Sequence, residues 1–265
     1  VTRGSTDTAF APAKVNLTLH VTGRRRDGYH LLDSLVAFAD VVDVLTVERG
    51  DALTVCGPFA DGVPTDDRNL IRRALRLAGT PRAVMLEKNL PHPAGLGGGS
   101  SDAAAVLRLV GACPDPAALL SLGADVPVCM TPRAQRMRGI GEILSPVPMP
   151  PLHAVLINPG VALPTGRVFA GLATTDNRPM DALPDAGPTL DWLARQRNDL
   201  EPPARQIAPV IGDVLSALRE AGADIARMSG SGATCFGLWP SRALADKAAH
   251  ELTLSGWWVR ACTLI

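Results

Sequence analysis

A glycine-rich segment joined directly to an alanine-rich one limits what this chain can fold into. Residues 91–102 read Pro91-His92-Pro93-Ala94-Gly95-Leu96-Gly97-Gly98-Gly99-Ser100-Ser101-Asp102, and Ala103-Ala104-Ala105-Val106-Leu107-Arg108-Leu109-Val110 follow. Glycine reaches positive φ and lets backbone come close to a ligand, whereas Ala and Leu favour helix. The pattern predicts a loop that feeds a helix N-terminus, with Ser100, Ser101 and Asp102 as candidate N-caps. Free N–H groups at such a terminus, helped by the helix dipole, attract anions. Residues 91–101 are therefore candidates for a phosphate-cradling loop, although a plain Gly/Ser connection before a capped helix is spelled the same way. Two better-known phosphate loops are excluded. A Walker loop needs Gly-Lys, and no such pair occurs. A dinucleotide fingerprint needs a glycine at its sixth place, which is Ser100 counted from Gly95 and Asp102 counted from Gly97.

The flanking pattern supplies the rest of the fold class. Residues 15–21 alternate, with Val15, Leu17, Leu19 and Val21 apolar, as in a half-buried strand. Asp27-Gly28 marks a turn after Arg24-Arg25-Arg26. Residues 31–45 are apolar but interrupted by Asp33, Asp40 and Asp43, and read as strands, continued over 41–47 and 52–55. Asn69 starts a helix that Gly79 ends, residues 83–88 form a strand leading into the glycine loop, and residues 116–122 form a second helix. Pro146-Val147-Pro148-Met149-Pro150-Pro151 is the candidate linker. Beyond it come strands at 154–158, 233–238 and 257–264 and helices at 207–221 and 242–252. Two α+β domains without an internal repeat are expected.

Composition excludes several classes. With 265 residues, 46% hydrophobic and 20% charged, the chain can bury a core, and its zero formal net charge argues against general nucleic-acid binding. Five scattered cysteines without a C-x-x-C read as reduced thiols of a cytoplasmic protein, and five histidines without H-E-x-x-H give no zinc site. Residues 1–13 lack the apolar core of a leader, and no apolar run reaches membrane-spanning length. Of 26 basic residues only Lys14, Lys88 and Lys247 are lysine. Lys14, at the mouth of a strand, is thus a place where an ammonium rather than a guanidinium is wanted.

Other residues carry weaker signals singly. Asp125 follows a helix between Gly123 and Pro127 and could be catalytic or a capping aspartate. Tyr29, the only tyrosine, stands beside His30 on a tight turn, a pair able to stack on and read a flat base. Ser229-Gly230-Ser231-Gly232-Ala233-Thr234 is a second glycine-rich turn.

Together, and in this order, the motifs resemble the GHMP kinase superfamily. Pro12-Ala13-Lys14-Val15-Asn16-Leu17 with Arg26-Asp27-Gly28-Tyr29-His30 is similar to the first motif, Gly95 to Ala104 to the second, and Ser229 to Phe236 to the third. Gly123-Ala124-Asp125-Val126-Pro127 and Gly139-Ile140-Gly141-Glu142 add to the likeness, which runs from residue 11 to the C-terminus. The resemblance implies an α+β, two-domain fold: an N-terminal ATP-binding α/β domain over 1–150 with the phosphate loop and catalytic residues, and a C-terminal ferredoxin-like α/β sandwich over 151–265.

It also implies an ATP-dependent kinase, with ATP and Mg2+ as cofactors, acting on the 2-hydroxyl of 4-diphosphocytidyl-2-C-methyl-D-erythritol in the non-mevalonate route to isoprenoid precursors. The alternatives are another small-molecule kinase of the homoserine or mevalonate type, or a catalytically silent nucleotide-binding relative. On this resemblance Pro91 to Ser101 wrap the ATP phosphates, Asp125 takes or orients the substrate's proton, and Lys14 neutralises charge beside it. Tyr29 stacks on cytosine, His30 reads its polar edge, and Phe169 covers the other face. Asn16 helps position the methylerythritol and Asn69 the adenosine. The expected partner is the small-molecule substrate, with no nucleic acid and no membrane, in a monomer or weak homodimer.

Overall fold

The structure, a computed structural model, describes residues 7–265, the side chain of Leu254 excepted; residues 1–6 of the stretch read for a leader lie outside the described residues. In chain order the elements are β1 (Asp7–Asn16), β2 (His20–Arg24), β3 (His30–Glu48), β4 (Leu53–Cys56), α1 (Leu70–Leu77), β5 (Ala83–Glu87), α2 (Gly98–Leu109), α3 (Pro116–Leu122) and α4 (Val126–Cys129). They continue with β6 (Gln135–Gly139), β7 (Ile143–Pro146), β8 (Leu152–Asn158), α5 (Thr165–Ala170), α6 (Leu190–Arg195), α7 (Glu201–Ile207), α8 (Val210–Glu220), β9 (Ile225–Met228), β10 (Cys235–Trp239), α9 (Arg242–Leu252) and β11 (Trp258–Leu264).

The chain divides into two compact units, each discontinuous in sequence. Unit one takes the residues up to Lys14, Val41–Pro91 and Gly97–Pro132; unit two takes Val15–Asp40, His92–Leu96 and Arg133–Ile265. The expected division at 150/151 is a single cut, so residues 15–40, 92–96 and 133–150 of the expected first domain pack with unit two.

In unit one, β5 runs parallel to β4 and antiparallel to the end of β3, with Val44 opposite Glu87 and Glu48 opposite Ala83. Asn69 caps α1 by accepting the Ile71 N–H, and Ile71, Ala74 and Leu75 at helical spacing turn into the core while the arginines of that helix face outward. Helix α2 is buried on every side from Ser101 to Leu107, which its three consecutive alanines permit because they let neighbouring elements approach closely. These faces meet Leu45, Val47, Val84 and Leu86.

In unit two, β2 pairs with the start of β3 around the Asp27-Gly28 turn, and β6 pairs with β3 and β7. A second set of strands is antiparallel throughout, β8 lying between β11 and β10, and β10 pairing onward with β9. Helices α8 and α9 pack on these strands over a core that includes Val155, Ile157, Val214, Leu215 and Cys235.

Several boundaries depart from expectation. The single strand expected over 15–21 is two, because the N–H groups of Leu17 and Thr18 both turn to the Leu35 carbonyl, at 2.8 and 3.4 Å, and interrupt the ladder. The helix expected over 207–221 begins at Val210, after Pro209, and α7 precedes it. Conversely, the apolar run with its three aspartates is one continuous strand of 19 residues. Each aspartate has a partner: Arg136 for Asp33, Arg242 and the Thr263 N–H for Asp40, and Lys88 for Asp43.

Candidate active site

Unit one brings Lys14 and Asp125 together across 111 positions of sequence. Lys14 Nζ donates to Asp125 Oδ1 at 2.8 Å, with Lys14 almost wholly buried and the Asp125 side chain 34% exposed. Asp125 stands at the N-cap of α4 yet makes no capping bond with its side chain. The capping reading therefore fails here, and the carboxylate is directed to the ammonium instead.

The glycine loop enters the same neighbourhood. Gly97, at φ 61°, is the N-cap of α2, and a Cβ there would sit 3.1 Å from Lys14 Cε. Only glycine combines that left-handed backbone with that approach. The candidate caps Ser100, Ser101 and Asp102 are thus corrected: they lie inside the first turns of α2, because the left-handed residue that starts the helix is three positions earlier. Gly97 offers no side chain, so the first N–H groups of α2 receive no cap from it. Ser101 Oγ donates to the Pro12 carbonyl at 2.8 Å, tying that turn to β1 beside Lys14. Asn69 is buried at the start of α1, with Oδ1 accepting from Ile71 and Nδ2 donating to the Pro64 carbonyl at 2.8 Å.

Unit two brings together Asn16 of the first motif, Gly95 of the second and Ser229 of the third. Gly95, at φ 72°, has backbone where a Cβ would overlap the Ser229 carbonyl oxygen. Ser229 Oγ donates to the Gly95 carbonyl at 2.9 Å and accepts the Asn16 N–H at 3.0 Å. Asn16 Nδ2 donates to Ser34 Oγ at 2.8 Å, and the Thr234 N–H donates to the Ala94 carbonyl at 3.2 Å. Asn16 is buried; His92 and Pro93 are exposed.

At the β2–β3 turn, Gly28 takes φ 94° and the Arg25 N–H bonds the Tyr29 carbonyl at 2.7 Å, which leaves the Tyr29 side chain 57% exposed. His30 stacks on Phe169 of α5, ring centroids 4.6 Å apart. Burial, with the Arg24 charge adding to it, lowers the His30 pKa and favours a neutral imidazole with one donor and one acceptor nitrogen. Tyr29, His30 and Phe169 thus share one unit, with His30 in contact with Phe169.

Lys88 was not singled out by the sequence. It is buried between Asp43 and Asp102, bonding Oδ2 of each. The scarcity of lysine was the available signal, since Lys247 alone of the three is exposed. Burial pushes the Asp102 carboxyl up to about 7, against the opposing pull of Lys88 and with Asp43 adding to it. A folded pKa above the unfolded value stabilises below the ordinary carboxylate range, and that stabilisation is lost as pH rises through about 7. The melting temperature of the native protein should therefore fall relative to Asp102→Asn between pH 5 and 8. A constant difference across that range would mean that Asp102 is ionised throughout. Cys129, four residues past Asp125, is a core thiol whose pKa burial raises, so it is not a reactive neighbour of the site.

Among the described residues no group of three His, Cys, Asp or Glu could hold a metal ion. Asp43 and Asp102 are engaged by Lys88, and Asp125 by Lys14. The donor set does not fit a resident magnesium cage.

Comparison with known proteins identifies the family. Residues 69–131 match the GHMP kinases N terminal domain and residues 181–256 match GHMP kinases C terminal. The 4-diphosphocytidyl-2-C-methyl-D-erythritol kinase of Paracoccus denitrificans is 56% identical over 96% of this chain and 95% of its own length. That of Dinoroseobacter shibae is 56% identical over 96% and 94%. A crystal structure of 4-(cytidine 5'-diphospho)-2C-methyl-D-erythritol kinase superposes with a TM-score of 0.80 at 39% identity, covering 97% of this chain and 99% of that one. A homoserine kinase from Cytophaga hutchinsonii has a TM-score of 0.67 at 19% identity over 99% of this chain and 95% of its own, a likeness of fold alone. The fold is that of the GHMP kinases, and the chain is an ATP-dependent small-molecule kinase. Within the GHMP kinases, the chain belongs to the 4-diphosphocytidyl-2-C-methyl-D-erythritol kinase family.

Proposed function

We propose that this protein transfers the γ-phosphoryl group of ATP to the 2-hydroxyl of 4-diphosphocytidyl-2-C-methyl-D-erythritol, in the non-mevalonate route to isoprenoid precursors. The observation that carries the chemistry is the 2.8 Å pair of Lys14 and Asp125 beside the uncapped start of α2. The substrate hydroxyl oxygen attacks the γ-phosphorus, its proton passes to the Asp125 carboxylate, and ADP leaves. Lys14 neutralises charge on the attacking oxygen and the γ-phosphate. An ammonium suits a site this confined, where a guanidinium fork would impose a wider geometry. Residues 91–101 hold the ATP phosphates, the N–H groups at the start of α2 acting on the charge of the transferred group. Magnesium would enter with ATP, held by its phosphates rather than by a carboxylate cage of the protein.

Tyr29 stacks on the cytosine, neutral His30 reads its polar edge, and Phe169 covers its other face. Asn16 positions the methylerythritol, and Asn69, fixed by its cap of α1, lies at the adenosine end. We keep 1–150 and 151–265 as the division into the family's two domains, the matched segments falling one on each side. No helix among the described residues is long and apolar enough to cross a membrane; we place the enzyme in the cytoplasm, as a monomer or weak homodimer.

The cytidine assignment is tested through Tyr29→Ala. Loss of one base–aromatic stack, worth about 1–3 kcal/mol, should raise KM for the cytidyl substrate about 5- to 150-fold, with little change for ATP. Free CTP or CMP should compete with the substrate. Equal weakening toward both substrates would give Tyr29 a structural role instead.

A further inference from the structure

One buried cluster touches both ends of the glycine loop. Lys88 directly follows β5, and its ammonium bonds Asp43 of β3 and, at 2.8 Å, Asp102 of α2. The other oxygen of Asp43 accepts the N–H groups of Asn89 at 2.6 Å and Leu90 at 2.8 Å, the last residues before the loop. Asp102 stands just past the loop, in the second turn of α2. Chain entering the loop and chain leaving it are therefore tied through one ammonium. That ammonium also abuts the junction of loop and helix, since a Cβ at Gly98 would lie 3.0 Å from Lys88 Nζ. All of these residues belong to unit one.

Stability alone does not account for such a cluster. Taking charges out of water costs several kcal/mol per ion, and apolar side chains of the same volume often stabilise a fold as well. Two carboxyl groups share one ammonium, and Asp102 Oδ1 is buried without a hydrogen-bond partner. The cluster holds backbone in place, and the backbone it holds is the start of α2. N–H groups aimed at a phosphate act only while their geometry is kept, and displacement by about 1 Å can cost about 100-fold in rate.

We propose that Lys88 is a positioning residue for phosphoryl transfer: through Asp43 and Asp102 it holds the entry of the loop and the first turns of α2 in the geometry that receives the ATP phosphates. This rests on the reading of residues 91–101 as the ATP loop. Lys88 acts through backbone and touches neither substrate.

Lys88→Met alone would leave two buried carboxylates facing each other and endanger the fold. The variant to make is Lys88→Met combined with Asp102→Asn, which leaves Asp43 its two N–H partners, beside Asp102→Asn alone, which leaves Lys88 an acceptor. In the folded double variant KM for MgATP should rise about tenfold or more and kcat should fall by a similar factor, with KM for the cytidyl substrate unchanged. Asp102→Asn alone, which keeps the Lys88 ammonium and gives it an amide acceptor, should fall between the native enzyme and the double variant on both. A single variant as impaired as the double would assign the effect to Asp102 and overturn the role of Lys88. Amide hydrogen exchange of the ligand-free protein supplies a readout independent of activity. Ser101, whose N–H bonds the Gly97 carbonyl at 2.8 Å, and residues 102–103 should exchange about tenfold faster in the double variant, with Leu75 of α1 unaffected. Unchanged ATP KM with unchanged exchange at residues 101–103 would overturn the proposal. So would faster exchange throughout unit one with both KM values unchanged, the mark of a merely structural cluster. A native enzyme that bound no ATP would instead sink the loop reading, while the exchange comparison would still decide whether Lys88 holds the turn.

Discussion

Asp125→Asn should abolish nearly all turnover while leaving ATP binding almost untouched. The carboxylate is not needed to cap α4, so its replacement does not remove a helix cap. Asparagine keeps the size of the side chain and can still accept a hydrogen bond from Lys14, but it cannot take a proton at neutral pH. Removing a positioned general base costs about 10²–10⁴ in rate. In steady-state assays kcat should fall by that order, with KM for MgATP within about twofold of the native value. A loss of only a few-fold would remove Asp125 from the role of base and leave orientation as its contribution.

Lys14→Met should produce the second large loss. Methionine matches the length of the lysine stem and removes only the charge, so what is lost is the ammonium that faces developing negative charge. Withdrawing one such electrostatic contact costs about 10²–10³ in kcat. The fold should survive, because Asp125 keeps a third of its side chain in solvent once its partner is gone (34% exposed). Lys14→Arg should not restore activity: the space a Cβ would occupy at Gly97 is already 3.1 Å from Lys14 Cε, and a planar fork does not fit where a point charge does. Residues that act as one unit are non-additive. The double variant Lys14→Met, Asp125→Asn should thus be scarcely worse than the poorer single variant, whereas multiplied losses would separate the two roles.

The sequence was most legible where local chemistry decides the structure. Asn69 capping α1, the Pro116–Leu122 helix and the Asp27-Gly28 turn are local decisions and stand as expected. It was misleading where distant partners decide. Ser100 has the chemistry of an N-cap, yet the helix starts at Gly98, because left-handed Gly97 begins it against Lys14. Asp43 breaks an apolar run on paper and is accommodated mid-strand by Lys88, a residue 45 positions away. The choice between a catalytic and a capping Asp125 could not be made from Gly123 and Pro127. Only the capping role is decided in the structure, where the carboxylate turns to Lys14, 111 positions earlier, and makes no cap. Pairing at that separation has no periodicity to announce it; the rarity of lysine was the one compositional trace, and it applied to Lys88 as much as to Lys14.

Phosphorylation of a cytidyl-linked methylerythritol at the lysine–aspartate site is the outcome on which these residue roles stand. Its most direct test is ADP release, coupled to NADH oxidation, with ATP and magnesium and a panel of 4-diphosphocytidyl-2-C-methyl-D-erythritol, homoserine, mevalonate and galactose. Turnover with the cytidyl compound alone is the predicted result. Turnover with one of the others, or ATP binding without turnover on any of them, would contradict it.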